Sequence, residues 1–189
     1  PVIIKKNVPV MSGLGSASSN AAATLRILAK LDLIKIKDIF QFTKIGSDVP
    51  LFINHNDCLV QGKGDKIINQ VFPKYYFLIV KPMSNCSTKL MYKKLNTMNI
   101  KNNNEFDLDE INDFDSGNDF EKIIINENDE IKKILEFLQN LDETIFCGIT
   151  GSGSCCFAAF DNYEIANNSL SLFKEAYPKL WSLVAENNC

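Results

Sequence analysis

The 189-residue chain is poor in the residues that usually build metal sites and nucleophile sites. It has a single histidine, His55, and its six cysteines include no Cys-x-x-Cys pair. Zinc sites need clustered thiolates and imidazoles, so this pattern argues against a structural metal and against a Cys-His nucleophile. The adjacent Cys155 and Cys156 lie in an apolar run, which predicts a buried strand with free thiols and therefore a reducing compartment.

Long apolar runs and an excess of one charge are also missing. No window approaches the run of about 20 apolar residues that a membrane span needs, and no signal-peptide pattern stands at the amino end. Lys and Arg number 20 against 23 Asp and Glu, and the net charge is -3. The short, separated lysine pairs predict solvated faces rather than a surface for nucleic acid or membrane. With 46% hydrophobic residues, the composition fits a globular chain of one or two domains.

The most informative segment that is present is a glycine- and serine-rich turn opening into an alanine-rich helix. Gly13 and Gly15 allow positive φ angles and the close approach of a ligand, and the helix start adds unpaired N–H groups. These features favour a bound phosphate, although a glycine-rich helix start used only for packing explains them equally well. No Lys-Ser or Lys-Thr pair of a Walker A loop follows. The candidate ATP-binding residues are Pro9, Met11, Ser12, Gly13, Leu14, Gly15, Ser16, Ala17, Ser18 and Ser19.

Further motifs stand in an order that resembles the GHMP kinase superfamily. The resemblance is carried by Gly46-Ser47-Asp48-Val49-Pro50, by Val80-Lys81-Pro82 with Ser87-Thr88, and by the glycine-rich run at residues 148–157. The Gly62-Lys63-Gly64-Asp65 turn and the helix start Asn118-Asp119-Phe120-Glu121 further resemble the branch that phosphorylates 4-diphosphocytidyl-2-C-methyl-D-erythritol. Only an Asn-rich insertion around residues 97–117 falls outside the resemblance, and its composition predicts a solvated loop.

The resemblance implies an α+β fold with the two-domain GHMP kinase architecture. Residues 1–71 would be a truncated ATP-binding domain, similar to ribosomal protein S5 domain 2, and residues 72–189 the C-terminal domain. In that family a strand-rich segment with a lysine and part of the cytidine pocket precedes the glycine loop. We therefore expect the chain to be a piece of a longer kinase.

The pattern of the second half itself predicts a ferredoxin-like β-α-β-β-α-β order. The expected strands lie at residues 75–80, 144–149, 154–160 and 180–185. The expected helices lie at residues 88–95, around 131–138 and at 163–176. In the first half, helices are predicted at residues 18–31 and 37–44, and Pro50 is taken to exclude a regular helix that begins before it.

Asp48 is the candidate catalytic base. It lies between a glycine turn and a Val-Pro pair that fixes the backbone, and it matches the catalytic aspartate of the resembled family. A carboxylate at this point could orient or deprotonate an attacking hydroxyl. The alternative is an aspartate that only closes an Asx turn or caps a helix.

A second glycine turn is the candidate site for the substrate's phosphates. Its backbone N–H groups can form an anion-binding nest, with a plain hairpin turn as the alternative. The resemblance implies that this turn contacts the diphosphate of the substrate and closes against the ATP loop. The residues of this turn are Thr150, Gly151, Ser152, Gly153 and Ser154.

Thr88 and Tyr92 are four residues apart, which places them on one side of a helix. The resemblance implies that Tyr92 stacks on the cytosine of the substrate, and a half-buried surface tyrosine is an equal alternative. Lys81 could line the same cleft or extend from the end of its strand towards solvent.

The resemblance thus implies an ATP- and Mg²⁺-dependent kinase acting on the 2-hydroxyl of 4-diphosphocytidyl-2-C-methyl-D-erythritol in non-mevalonate isoprenoid biosynthesis. Mg²⁺ would be held between nucleotide oxygens with few protein ligands. Two other functions stay open: another small-molecule kinase of the mevalonate or homoserine type, and a non-catalytic ligand-binding fragment. Heavy use of Asn, Lys and Ile suggests an AT-rich genome. We expect a plastid of the apicoplast kind if the source is a eukaryote, and the cytoplasm otherwise.

Overall fold

The computed structural model describes residues 3–54, 56–62, 64–97 and 117–187. His55, Lys63 and most of the Asn-rich insertion lie outside the described residues. The chain divides into two compact units. The first is formed mainly by Gly15–Pro73, and the second by Pro9–Leu14 together with Lys74–Asn187. The first half of the glycine loop therefore belongs to the second unit, and the second half belongs to the first.

The first unit contains helices and one β-hairpin. Its elements are α1 (Ser16–Lys30), a 3₁₀ helix (Ile39–Lys44), α2 (Val49–Asn54), and the antiparallel strands β1 (Cys58–Gln61) and β2 (Lys66–Asn69). Ala22, Val49 and Ile53 form its buried apolar cluster, and Pro50 of α2 is buried as well. Around them pack half-buried side chains such as Leu25 and Phe42.

Two details of this unit differ from the sequence-based expectations. The segment predicted as a helix at residues 37–44 is a 3₁₀ helix, and the side chain of Asp38 caps it by accepting a hydrogen bond from Phe40 N at 2.9 Å. Helix α2 begins at Val49, one residue before Pro50, so the expectation that Pro50 excludes an earlier start was wrong. Proline is tolerated in a first turn because its missing N–H would have no partner there.

The second unit is built on a four-stranded antiparallel sheet. Its strands are β3 (Tyr76–Lys81), β4 (Phe146–Ile149), β5 (Cys156–Phe160) and β6 (Trp181–Glu186), in the spatial order β4-β5-β3-β6. The helices are α3 (Thr88–Thr97), α4 (Glu121–Glu127), α5 (Asp129–Gln139) and α6 (Tyr163–Ala176). This order confirms the ferredoxin-like prediction, and α4 begins at the helix start that the sequence marked at residues 118–121.

The core of this unit lies between the sheet and helices α5 and α6. Leu78 and Val80 of β3 are buried there, as the period of two in a strand requires for one covered face. From the helices, Ile134 and Phe173 are also fully buried, and each such side chain contributes roughly 1.5–3 kcal/mol on leaving water. This packing holds the sheet rigidly, and the turn that follows β4 is attached directly to it. Among the residues that the structure describes, no helix combines the length and apolar character needed to cross a membrane.

Candidate functional site

The first half of the glycine loop is bound to the second glycine turn within the second unit. Ser12 is buried, and its backbone oxygen accepts hydrogen bonds from Thr150 Oγ1 at 2.7 Å and from Cys155 N at 3.1 Å. The oxygen of Met11 accepts a further bond from Ser154 N at 3.4 Å. The turn at residues 150–154 thus lies directly against residues 11–13, and phosphate binding by either segment stays a prediction.

Gly13 makes this close approach possible. Its φ angle is +73°, and a Cβ atom placed on it would stand 2.3 Å from Thr150 O and 2.9 Å from Gly153 O. Both are backbone atoms, which cannot swing aside as a side chain could. A glycine is therefore required here by conformation and by space.

The second half of the loop forms the start of α1 in the first unit. Gly15 occupies the N-cap position in the left-handed region, with φ 61°, and makes no side-chain capping bond. The first turn of α1 carries no acidic residue. Ser16 and Ser18 are half-buried beside this helix start. Unpaired N–H groups at the positive end of a 15-residue helix form a cradle suited to a phosphate.

Asp48 immediately precedes α2 in the same unit. Its side chain is exposed and its Oδ1 accepts a hydrogen bond from Ser47 Oγ at 3.1 Å. Among the described residues, no backbone N–H of α2 donates to this carboxylate, which weakens the alternative of a helix-cap aspartate. Gly46, two residues before Asp48, lies next to α1, because a Cβ placed on it would be 3.5 Å from Ser18 Oγ. The carboxylate is thus carried on a segment that packs against the first turn of α1.

Two further side chains hold the second glycine turn. Thr88 Oγ1 lies 2.6 Å from Ser152 Oγ, so Thr88 borders this turn, a contact that the sequence did not predict. Its role in substrate binding stays a prediction. Asn118 donates from Nδ2 to Ile149 O at 2.9 Å and to Gly151 O at 2.6 Å. The sequence marked Asn118 only as part of a motif. The structure shows what it does, which is to tie the segment before α4 to the turn.

Tyr92 lies on α3 and is 55% exposed. Its ring meets that of Phe120 edge to face, with the centroids 5.0 Å apart and the planes at 82°. About half of the residue is thus open to solvent, and Asn118, which holds the turn, is two residues from Phe120. The stacking role of Tyr92 stays a prediction.

Lys81 does not line an open cleft. The residue is only 8% exposed, and its ammonium donates to Pro82 O, Ser84 O and Asn85 Oδ1 at 2.8–3.0 Å. All three acceptors belong to the segment that directly follows β3. Lys81 therefore organises this segment instead of extending into solvent, and neither of the two roles considered from the sequence describes it.

The cysteines beside the turn are free and buried, as the sequence predicted. Burial raises the pKa of Cys155 to about 12, against the weaker opposing charge of Lys81. Burial also raises the pKa of Cys156, with a further contribution from the neighbouring Cys155. Thiols in this state are poor nucleophiles, so they serve packing. Among the described residues, no group of three or more His, Cys, Asp or Glu side chains could hold a metal ion.

Comparison with known proteins extends over both units. Residues 2–54 match the GHMP kinases N terminal domain, and residues 99–179 match the GHMP kinases C terminal domain. The chain is 32% identical over 188 residues to a 4-diphosphocytidyl-2-C-methyl-D-erythritol kinase of Pelagibacter ubique. That match covers 94% of this chain and 66% of the relative. The chain also matches two further relatives of the same name and covers 61% and 59% of their length. The chain thus spans about three fifths to two thirds of the curated relatives it matches.

Solved structures share the fold. A crystal structure of 4-(cytidine 5'-diphospho)-2C-methyl-D-erythritol kinase aligns with a TM-score of 0.77 at 20% identity, covering 95% of this chain and 68% of that one. A homoserine kinase from Cytophaga hutchinsonii aligns with a TM-score of 0.59 at 16% identity, covering 97% and 68%. With both domains matched in order along one chain and the fold in common, this chain belongs to the GHMP kinase family.

Proposed function

We propose that the chain belongs to a kinase that transfers the γ-phosphoryl group of ATP to the 2-hydroxyl of 4-diphosphocytidyl-2-C-methyl-D-erythritol. The support is of two kinds. Relatives at 32–35% identity carry the name of that kinase. The observation that carries the proposal is the direct pairing of Ser12 and Gly13 with the 150–154 turn, which brings two candidate phosphate-binding segments together within the second unit.

The residues of the first unit would serve ATP and the reacting hydroxyl. The uncapped start of α1 would receive phosphate oxygens on its N–H groups, with the hydroxyls of Ser16 and Ser18 beside them. Asp48, exposed on a segment packed against that start, would accept the proton of the 2-hydroxyl as its oxygen attacks. Little covalent work is required of the protein, so positioning and charge stabilisation supply most of the rate.

The residues of the second unit would serve the acceptor. The N–H groups of Thr150, Gly153 and Ser154 already donate to protein carbonyls. The turn would therefore hold the diphosphate on the N–H groups of Gly151 and Ser152, with Thr88 contributing through Ser152. Tyr92 would offer the face of its ring to the cytosine. When Mg²⁺ is bound with the nucleotide, it neutralises negative charge on the phosphoryl group that is transferred. Among the described residues, no group of three or more acidic, His or Cys side chains could hold the ion. Asp48 is a single exposed carboxylate, so the ion would be bound mainly by the oxygens of the nucleotide.

The test is phosphate transfer from ATP, measured with 4-diphosphocytidyl-2-C-methyl-D-erythritol, mevalonate phosphate and homoserine offered separately. We expect transfer to the cytidyl compound alone. Asp48→Asn should reduce turnover by about 10²–10⁴ while leaving ATP affinity within a factor of about two. Asp32→Asn is the matched control, since it removes the same charge beyond the other end of α1, at a φ of 56° that asparagine tolerates.

Each of the other results has a definite meaning. Transfer to mevalonate phosphate or homoserine would replace the proposed acceptor with that of another GHMP kinase. Full turnover in Asp48→Asn would remove Asp48 from its role. ATP binding without transfer to any acceptor would favour the non-catalytic alternative.

A further inference from the structure

The segment that connects β3 to α3, residues 82–87, is held at its centre by a carboxylate from another helix. Glu130, in the first turn of α5, accepts hydrogen bonds from Met83 N at 2.8 Å and from Ser84 N at 2.9 Å. It also accepts one from the hydroxyl of Ser84. Lys81 adds three further hydrogen bonds, to Pro82 O, Ser84 O and Asn85 Oδ1. Most polar atoms of residues 82–84 therefore have a hydrogen-bond partner within this unit.

Ser84 links this segment to the second glycine turn. Its carbonyl oxygen accepts a hydrogen bond from Ser154 Oγ at 2.7 Å, in addition to the one from Lys81. Ser154 is fully buried, so its hydroxyl cannot turn to water as a replacement partner. Next to it, a Cβ placed on Gly153 would stand 3.1 Å from Cys86 Sγ, which shows how closely the segment and the turn are packed.

The contacts of Glu130 are those of an ionised carboxylate. Partial burial acts to raise the pKa of Glu130, but the hydrogen bonds from Ser84 and Met83 and the charge of Lys81 outweigh it and hold the pKa below its usual value. Hydrogen bonds to a charged acceptor are roughly twice as strong as neutral ones. Glutamine in this position could present only one oxygen, and its amide would face a second donor.

We propose that Glu130 is a positioning residue for the turn at residues 150–154, acting through Ser84 and Ser154. By fixing the Ser84 carbonyl it sets the place of the Ser154 hydroxyl, and so the direction of the Gly151 and Ser152 N–H groups that would receive the acceptor's diphosphate. This inference rests on the proposed function. Nothing in the motifs marked Glu130, because its partners lie 46 and 47 residues away in the chain.

The diphosphate does not react, so its contacts are the same in the ground state and in the transition state. A poorly positioned turn should therefore raise KM for the acceptor and leave kcat nearly unchanged. For Glu130→Gln we expect a rise in KM of about five- to tenfold, with kcat and the KM for ATP within about twofold. Asp129→Asn is the matched control, because it removes a charge from the same helical turn at an exposed side chain.

A double-mutant cycle tests the route of the effect. Ser154→Ala removes the next hydrogen bond in the path from Glu130 through Ser84 to Ser154. In a chain that already carries Ser154→Ala, Glu130→Gln should therefore raise KM little further. The double variant should have the KM of the single variant that binds the acceptor more weakly. Independent losses that multiply would show that Glu130 acts by another path and would overturn the proposal. An unchanged KM in Glu130→Gln would overturn it as well.

Amide hydrogen exchange of the free protein supplies a readout that needs no activity. In Glu130→Gln the peptide spanning residues 150–155 should exchange faster, whereas peptides of α6 should not change, and Asp129→Asn should match the unmodified chain. Faster exchange in α6 too would indicate general destabilisation and contradict the proposal. If the turn loosens as expected but the unmodified chain transfers no phosphate, the positioning stands and the proposed function fails.

Discussion

Gly13 is the single residue on which the two glycine turns most depend. Its positive φ angle, and the backbone oxygens within 3 Å of where a Cβ would stand, leave no space for a side chain. Gly13→Ala should therefore lower the free energy of unfolding by about 2–4 kcal/mol, the sum of conformational strain and overpacking. Loss of the pairing between Ser12 and the 150–154 turn should accompany it. Urea denaturation followed by the fluorescence of Trp181, the one tryptophan of the chain, measures the loss.

Gly46→Ala provides the comparison for Gly13→Ala. A Cβ at Gly46 would make ordinary contacts, 3.4 Å from Val49 Cγ2 and 3.5 Å from Ser18 Oγ. We expect its effect on the unfolding free energy of the first unit, read from amide hydrogen exchange of α1 and α2, to stay within about 0.5 kcal/mol. A loss in Gly13→Ala as small as that expected for Gly46→Ala would show that the oxygens around Gly13 yield, and would contradict the close approach described for the turns.

At the same scale, the sequence indicated which residues matter better than how they act. Gly13 and Gly15 were recognisable because glycine in a turn before a helix has a local physical meaning. Lys81 was marked by its motif, but its hydrogen bonds to the segment after β3 were not foreseen. Glu130 had no such mark, since its partners Met83 and Ser84 lie 47 and 46 residues away and meet it only when β3 and α5 pack together. A side chain's partner across the fold depends on tertiary geometry, which spacing along the chain does not encode.

Among the elements, helix α6 illustrates how a complete set of local signals fixes a boundary. The sequence predicted residues 163–176, and the structure has Tyr163–Ala176. Asn162 precedes it as N-cap, with Oδ1 accepting from Glu164 N at 2.7 Å and from Ile165 N at 3.4 Å. By contrast, Ile39–Lys44 became a 3₁₀ helix. Its six residues are too few for local propensity to decide between the two helical forms.

The cap of α6 can be tested directly. Asn162→Ala removes the acceptor for two N–H groups and should cost about 1 kcal/mol of unfolding free energy. Asn162→Asp keeps an acceptor and adds negative charge at the positive end of the helix, so it should be neutral or slightly stabilising. Urea titration with Trp181 fluorescence suits both variants, because β6 and α6 pack in the same unit. A cost for Asn162→Asp equal to that of alanine would contradict the capping role.

For the molecule as a whole, the two units have cores of very different extent. In the part of the chain that the structure describes, the first unit buries Ala22, Val49 and Ile53, whereas the second buries an apolar layer between the whole sheet and its helices. The ferredoxin-like order of the second unit was predictable because strand and helix periods alternate clearly there. The hairpin of β1 and β2 was not, since each strand has only four residues and the sequence marked only the turn between them.

Because the two cores differ so much in extent, we expect the two units to unfold one after the other as urea is added. Because little apolar surface is buried in the first unit, α1, α2 and the hairpin should lose amide protection at lower urea than β3, β5 and α6. Hydrogen exchange read by mass spectrometry over a series of urea concentrations separates the two sets of peptides. A two-state analysis of the chain would then be invalid, and its Trp181 signal would report the second unit alone.

Two core substitutions make this expectation specific. Val49→Ala should speed exchange in α1 and α2 and leave the sheet peptides unchanged, because Val49 is 1% exposed in the smaller core and its truncation costs about 1–3 kcal/mol. Phe173→Ala should shift the protection of β3, β5 and α6 to lower urea, since Phe173 is fully buried between helix and sheet. If all peptides of the unmodified chain lost protection at one urea concentration, and both variants shifted them together, the two cores would have to act as one cooperative body.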